Sequence, residues 1–222
     1  MCWEFVSLYL LTHPYTESRL GGIFVFDMKR YFIIYKPYLV LSQFTSKEEK
    51  QTLADFFTVP KNIYPVGRLD EDSEGLLVLT NDTILNHRLL NSSFVHEREY
   101  FVQVDGAITK EAIQQLEYGI EINVNGKPYQ TKPCKVILFS DAPVLPQRNP
   151  PIRFRAAIPA PWIKMILTEG KNRQVRKMTA KVGFPTLRLV RNRIEMIELG
   201  NMQPGDIIEL SEKIIYKKLF DE

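Results

Sequence analysis

Gly67-Arg68-Leu69-Asp70 is followed by Glu71-Asp72-Ser73-Glu74-Gly75 and then by the apolar run Leu76-Leu77-Val78-Leu79. An aspartate is thereby set at a turn beside a buried element, with an arginine two residues before it. About a hundred residues later comes a second polar cluster, Glu169-Gly170-Lys171-Asn172-Arg173-Gln174-Val175-Arg176-Lys177-Met178. Carboxylate and cations in this arrangement suit chemistry on a polyanion driven by a single carboxylate, with neither metal nor cofactor. Calcium is the obvious competitor, because Asp70, Asp72 and Glu74 stand at positions one, three and five of a loop with Gly75 at six. Position twelve, which should be a bidentate glutamate, is Asn81. The blander reading is an acidic surface turn. Against it stand Arg68, close enough to orient a carboxylate, and Gly75, which permits an unusual backbone angle.

Charge distribution supports a nucleic-acid partner. The chain holds 29 Lys and Arg against 26 Asp and Glu, yet residues 143–194 carry twelve basic residues and one acid, Glu169. A cationic segment on an otherwise acidic protein is the footprint of a phosphate-backbone binder, and it outweighs a merely solvated basic face. Cys2 and Cys134 are the only cysteines, so disulfides are not expected and a reducing cytoplasm fits. His13, His87 and His96 lack metal-ligand spacing with either cysteine, and no structural zinc is expected. No apolar run reaches 18 residues, so no membrane span is predicted. Phe5–Leu11 is apolar but has neither the basic flank nor the cleavage site of a signal peptide.

The elements that must hold these residues can be placed coarsely. Phe32-Ile33-Ile34-Tyr35 begins a strand. Ser46-Lys47-Glu48-Glu49 predicts a capped short helix with Leu53, Phe56 and Phe57 inward. Asp82 predicts a cap for a helix carrying Leu85 and Leu89. Arg98 to Val104 alternates, with Tyr100, Val102 and Val104 on one face. Thr109 caps a third helix ending near Gly119. Residues 141–161 hold six prolines and read as a long loop. A fourth helix is expected from about Asn172 to Val182, closed by Gly183, with Val175, Met178 and Val182 as its buried stripe. A strand Thr186–Val190, a turn at Gln203-Pro204-Gly205-Asp206 and a strand Ile207–Leu210 follow. The irregular mixture predicts an α+β fold with a mixed, mostly antiparallel sheet rather than a doubly wound one.

Gly67-Arg68-Leu69-Asp70-x-Asp72-Ser73-x-Gly75-Leu76-Leu77 resembles the catalytic motif of pseudouridine synthases, most closely the RsuA-type family of ribosomal RNA enzymes. Phe32-Ile33-Ile34-Tyr35-Lys36-Pro37 is similar to the opening strand of that domain. Arg98-x-Tyr100 is similar to its basic-x-Tyr motif, with Arg98 where Lys is usual. Gly170-x-Asn172-Arg173-Gln174-Val175-Arg176-Lys177-Met178 and Leu189-Val190-Arg191 are similar to its third motif. Four motifs in order, spanning about Tyr31 to Leu210, are far more specific than any one of them.

The resemblance implies a pseudouridine synthase fold of two subdomains flanking a cleft, and an isomerase that needs no cofactor. It makes Asp70 the nucleophile or charge-stabilising carboxylate, pairs it with Arg176, and stacks Tyr100 on the uracil. Leu189 becomes an apolar wall. Lys36, Arg68, Arg98, Lys171, Arg173 and Arg191 become contributors to RNA binding or site support. From the residues alone, Tyr100 reads first as a core tyrosine on its strand and Leu189 equally well as core, whereas Arg176 and Arg173 lie off the apolar stripe of their helix. Residues 1–30 are too short and too apolar for the S4 RNA-binding domain of many members. That favours 23S rRNA, or a large-subunit assembly intermediate, as the partner of a monomeric enzyme. Residues 1–27 are expected to be an extension or an upstream start, 28–215 the catalytic domain and 216–222 a tail. Two rivals are a non-catalytic RNA-binding or ribosome-assembly protein on this scaffold, and a glycoside hydrolase using Asp70 with Asp72 or Glu74.

Overall fold

The computed structural model describes residues 28–91, 93–153, 155 and 157–222, together with the backbone of β1 (Glu17–Leu20) and β2 (Ile23–Phe26). Cys2, His13 and the apolar stretch Phe5–Leu11 lie outside the described residues, as does most of the expected 1–27 extension. Among the described residues no helix is long and apolar enough to cross a membrane.

The strands are β3 (Tyr31–Lys36), β4 (Tyr64–Pro65), β5 (Glu74–Thr80), β6 (Arg98–Val104), β7 (Glu121–Val124), β8 (Lys127–Gln130), β9 (Lys135–Leu138), β10 (Trp162–Leu167), β11 (Thr186–Ile194), β12 (Ile197–Glu198) and β13 (Ile207–Leu210). The helices are α1 (Thr83–Leu90), α2 (Lys110–Tyr118), α3 (Gln174–Lys181) and α4 (Glu212–Phe220). One nine-stranded sheet runs β13-β3-β5-β11-β6-β10-β9, with β4 on β5 and β12 on β11. The expected α+β architecture is therefore present.

β3 and β5 alternate between two cores, which is why their sequences are continuously apolar. Tyr31, Ile33, Tyr35, Leu76 and Val78 pack with Leu85 and Leu89 of α1 and with Ile215 and Leu219 of α4. Phe32, Ile34, Leu77 and Leu79 pack on Leu53, Phe57 and Ile63. The other half of the sheet forms a separate core, in which Val102, Ile163, Met165 and Leu189 meet Leu116 of α2 and Val175 and Met178 of α3. The two halves join where β5 meets β11 in parallel, through the pairs Val190–Glu74 and Arg191–Gly75. Gly75 is required there: its φ is +108°, and a Cβ on it would lie 2.4 Å from the Arg191 carbonyl oxygen. Gly75 thus lets the two halves pair without a side chain between them.

Four expectations need correcting. No helix starts at Ser46, whose hydroxyl only accepts from the Glu48 amide. The capping box forms six residues later, where Thr52 and Asp55 frame a single 3₁₀ turn, Leu53–Asp55; there Leu53 and Phe57 are buried and Phe56 is exposed. The strand predicted to end at Val190 continues to Ile194, because antiparallel pairing with β6 runs on to Ile194–Arg98. The expected domain end at 215 falls inside α4, which Ser211 caps through the Ile214 amide and which buries Ile215 and Leu219.

Candidate active site

Asp70 occupies the turn that feeds β5. Gly67 at φ +71° bends the chain into the turn, and the Ser73 amide closes it on the Asp70 carbonyl at 3.0 Å. Two buried side chains fix the turn from below. The Ser42 hydroxyl donates to the Leu69 carbonyl at 2.7 Å and accepts from the Leu69 amide at 3.0 Å. Lys36, 0% exposed, donates to the carbonyls of Val40 at 2.7 Å, Pro37 at 2.8 Å and Glu71 at 3.4 Å. Burial pushes its amine down to about 7, against the upward pull of Glu74, Asp72, Glu71 and Asp70. Lys36 is therefore no RNA contact. It sits under the turn because its long stem crosses the core and its amine satisfies carbonyls that would otherwise be unpaired.

Asp70 points its carboxylate, 29% exposed, toward a cleft of about 940 Å³ between the two halves of the sheet. Its nearest guanidinium is Arg173, 3.8 Å away. Arg173 grips Asp72 in bidentate fashion at 2.9 and 2.8 Å. Arg176 donates to the Asp72 carbonyl and to the Ser73 hydroxyl at 3.4 Å, and its Nε lies 3.4 Å from the Asp72 carboxylate. The expected Asp70–Arg176 pair is thus replaced by an Asp72-centred cluster with Arg173 alongside Asp70. Arg173 is the left-handed N-cap of α3, at φ 52°, and so reaches the turn from the helix end; Arg176 starts one turn deeper and meets the backbone beyond Asp70. Burial raises the Asp72 carboxyl, but the Arg173 bond and the charges of Arg176 and Arg173 outweigh it and hold the group below its ordinary range. Burial pushes the Arg176 guanidinium down, while Arg173 is raised by its bond to Asp72.

Tyr100 rises from β6 on the face of Val102 and lines the cleft. Leu189 lines the same cleft and is buried, as an apolar wall requires. Arg191 is paired in register with Tyr100, is buried, and donates from Nε to the Leu76 carbonyl at 2.7 Å. Burial lowers its pKa, and the adjacent Tyr100 counters that. Arg98 lines the cleft but spends its guanidinium on the carbonyls of Leu89, at 2.8 Å, and His96, at 3.3 Å. Arg68 and Lys171 also line the cleft; Arg68 is exposed, and the Lys171 amine lies 4.9 Å from the centre of the Tyr129 ring. Asp70, Tyr100, Arg68, Arg98, Lys171, Arg173, Leu189 and Arg191 thus share one cleft. Arg176 and Lys36 stand behind it.

The sequence did not single out Tyr129, Lys132 and Gln174. Glu169 gathers them, accepting from the Tyr129 hydroxyl at 2.5 Å, the Lys132 amide at 2.9 Å and the Gln174 amide nitrogen at 2.6 Å. The bond to Glu169 pushes the Tyr129 phenol up to about 12. One carboxylate therefore ties the β7–β8 hairpin to the start of α3 along the cleft wall. Its isolation within a cationic segment was the available signal.

Two of the three acidic residues that follow Asp70 in its turn are committed to arginines. Glu74 is buried in a bidentate pair with Arg188, both bonds at 2.9 Å, and Asp72 is held by Arg173. Neither serves a calcium loop or a second hydrolytic carboxylate. Among the described residues no cluster of three His, Cys, Asp or Glu is arranged to hold a metal ion.

The family described as RNA pseudouridylate synthase matches residues 30–181. The ribosomal large subunit pseudouridine synthase E of Vibrio parahaemolyticus is 48% identical over 182 residues, covering 82% of this chain and 74% of that protein. The protein of the same name from Xanthomonas axonopodis pv. citri is 46% identical, covering 78% and 89%. The dual-specificity RNA pseudouridine synthase RluF of Escherichia coli is 33% identical, covering 80% and 53%. A solved pseudouridylate synthase shares the fold with a TM-score of 0.69 at 23% identity, covering 88% of this chain and 77% of that one.

Proposed function

The chain belongs to the RNA pseudouridylate synthase family, and on that premise we propose that it converts one uridine of 23S rRNA to pseudouridine, with Asp70 as the catalytic carboxylate. The reaction breaks the bond between N1 and C1′, turns the uracil, joins C5 to C1′, releases the C5 proton and leaves N1 to take up a proton in its place. Reactant and product have the same composition, so the residues of the cleft suffice. Attack on C1′, attack on C6 and removal of a sugar proton all require an ionised carboxylate aimed at the nucleoside. Asp70 faces the cleft without a bidentate partner and with Arg173 3.8 Å away, whereas Glu71, which also lines the cleft, pairs with Lys50 at 3.3 Å. Arg176 and Lys36 hold the turn in place, and Leu189 walls the base. In this reading the Tyr100 ring stacks on the uracil and its hydroxyl takes part in removing the C5 proton.

The target uridine is stacked or paired in folded RNA and must be extruded into the cleft at a cost of a few kcal/mol. Arg68, Lys171 and Lys132 around the mouth can offset that through flanking phosphates. The convergence of Asp70, Tyr100 and the cations in one cleft carries the proposal, because a pure RNA binder has no need of it. That cleft is built by one chain, which supports a monomeric enzyme working where ribosomes assemble, in the cytoplasm. The catalytic unit runs from residue 28 through α4. Release of tritium from RNA labelled at uridine C5 tests the activity. Wild type is expected to release it from 23S transcripts and Asp70→Asn is not; equal release by both would overturn the role of Asp70.

A further inference from the structure

We propose that Phe94 is a stacking site for an RNA base adjacent to the extruded uridine; the proposal rests on the reading above. Leu90, Phe94 and Val95 are 49%, 45% and 65% exposed, an apolar rim beside a cleft whose lining includes the cations Arg68, Lys132, Lys171 and Arg173. Leu90 packs over Gly67, where a Cβ would lie 3.0 Å from its Cδ2. The rim therefore stands three residues from Asp70, at the mouth an incoming nucleotide must pass.

Phe94 is presented by a braced structure. Its amide donates to the Asn91 carbonyl at 3.1 Å, and the Ser93 amide donates to the Asn91 side chain at 2.9 Å. On the other flank, buried His96 is within 3.1 Å of both the Arg88 carbonyl and the Glu195 carboxylate, and Arg98 is bonded to the Leu89 carbonyl. One face of the Phe94 ring stacks on the His96 imidazole, at 6.4 Å and 29°, and Phe220 supports that imidazole edge-on at 5.6 Å. An exposed aromatic held this firmly loses little entropy on binding. Its surroundings specify the occupant. Arg68, Lys132 and Lys171 of the same cleft suit phosphates, while an apolar ring offers a base its π-face. A nucleotide is the ligand that supplies both. Extruding a uridine exposes a face of its neighbour, and the Phe94 ring covers that face.

The test first maps the modified position in a 23S rRNA transcript with wild type, then measures steady-state kinetics on a short transcript around it. Phe94→Leu keeps the rim apolar but removes the ring; Phe94→Trp keeps a π-face. The Leu variant is expected to raise KM about ten-fold with kcat within about two-fold, and the Trp variant to match wild type. Fluorescence of 2-aminopurine placed beside the target uridine should stay low on binding wild type, whose ring covers the exposed face, and rise on binding Phe94→Leu. Unfolding midpoints should agree, since the ring is half exposed. If Leu behaves as wild type on RNA, the stacking site is refuted, and a defect seen only on intact ribosomal particles would assign the rim to a protein contact instead. If wild type itself forms no pseudouridine in any ribosomal transcript, the proposed function falls and the stacking site with it.

Discussion

At the residue scale Asp70 is legible in the chain and its partners are not. Asp70 is found from neighbours within a few positions, because a turn, a glycine and an apolar strand are local properties. Which guanidinium meets it depends on the left-handed φ of Arg173 at the α3 N-cap, and no local pattern announces that. For Lys36 the sequence left RNA binding and site support open, and the fold that buries its amine on the Val40 carbonyl selects the second. Two predictions belong here. Arg173→Ala should lower kcat, whereas Arg173→Lys should recover part of it, measured by single-turnover tritium release. Lys36→Met should cost about 2–4 kcal/mol of stability by leaving buried carbonyls unpaired. It should also lower kcat more than KM, since the turn beneath Asp70 loosens. The Lys36 amine, depressed from 10.5 to about 7 in the fold, makes the unfolded chain the better proton binder between those values. Its contribution to stability therefore rises with pH from about 7 to 10.5. Urea unfolding of wild type against Lys36→Met across that range checks the sign; a contribution that falls would refute it.

At the element scale the strongest commitments are those where a strand or helix end is specified by one side chain. Asp82 caps α1 through the Ile84 and Leu85 amides and accepts from the hydroxyls of Tyr31 and Tyr216. Burial raises its carboxyl, but those two hydroxyl bonds and Lys29 overcome this and leave it below 3.8. The stabilisation is present above 3.8 and is lost as pH falls through the lower folded value. Acid unfolding of Asp82→Asn should accordingly be less steep than wild type below pH 4 when followed by circular dichroism. The capping signal made α1 and α2 readable in the sequence. The same signal at Ser211, with Ile215 and Leu219 one turn apart, marked α4, but its place at the chain end made it pass for a tail. The β5–β11 junction was not readable, because parallel pairing of strands more than a hundred residues apart leaves no local trace. Gly75 is its only mark. Gly75→Ala would drive a Cβ into the Arg191 backbone at a φ unfavourable to side chains. It should cost about 3 kcal/mol or more and abolish activity even where the protein remains folded.

For the whole molecule, the fold and the electrostatics answer to one requirement. Two half-sheets with separate cores meet along a narrow seam, one side supplying the Asp70 turn and the other Tyr100, Leu189 and the α3 arginines. The cations of residues 143–194 then divide their labour. Arg188 and Arg191 are buried structural groups, and Arg173 and Lys171 face the cleft. The cationic segment was visible in the sequence, but this division was not, since burial separates arginines that composition counts alike. RNA binding should weaken with salt in proportion to the phosphates engaged. With about five contacts from the cleft and its rim, log K against log salt should have a slope of about −3.5 to −4.5, measured by filter binding.

Cells decide whether Asp70 of this cleft makes pseudouridine in 23S rRNA. The most direct measurement is pseudouridine mapping of ribosomal RNA from cells lacking the protein and complemented with wild type or Asp70→Asn. One site in 23S rRNA should disappear and return only with wild type. An unchanged map, or restoration by Asp70→Asn, would contradict it.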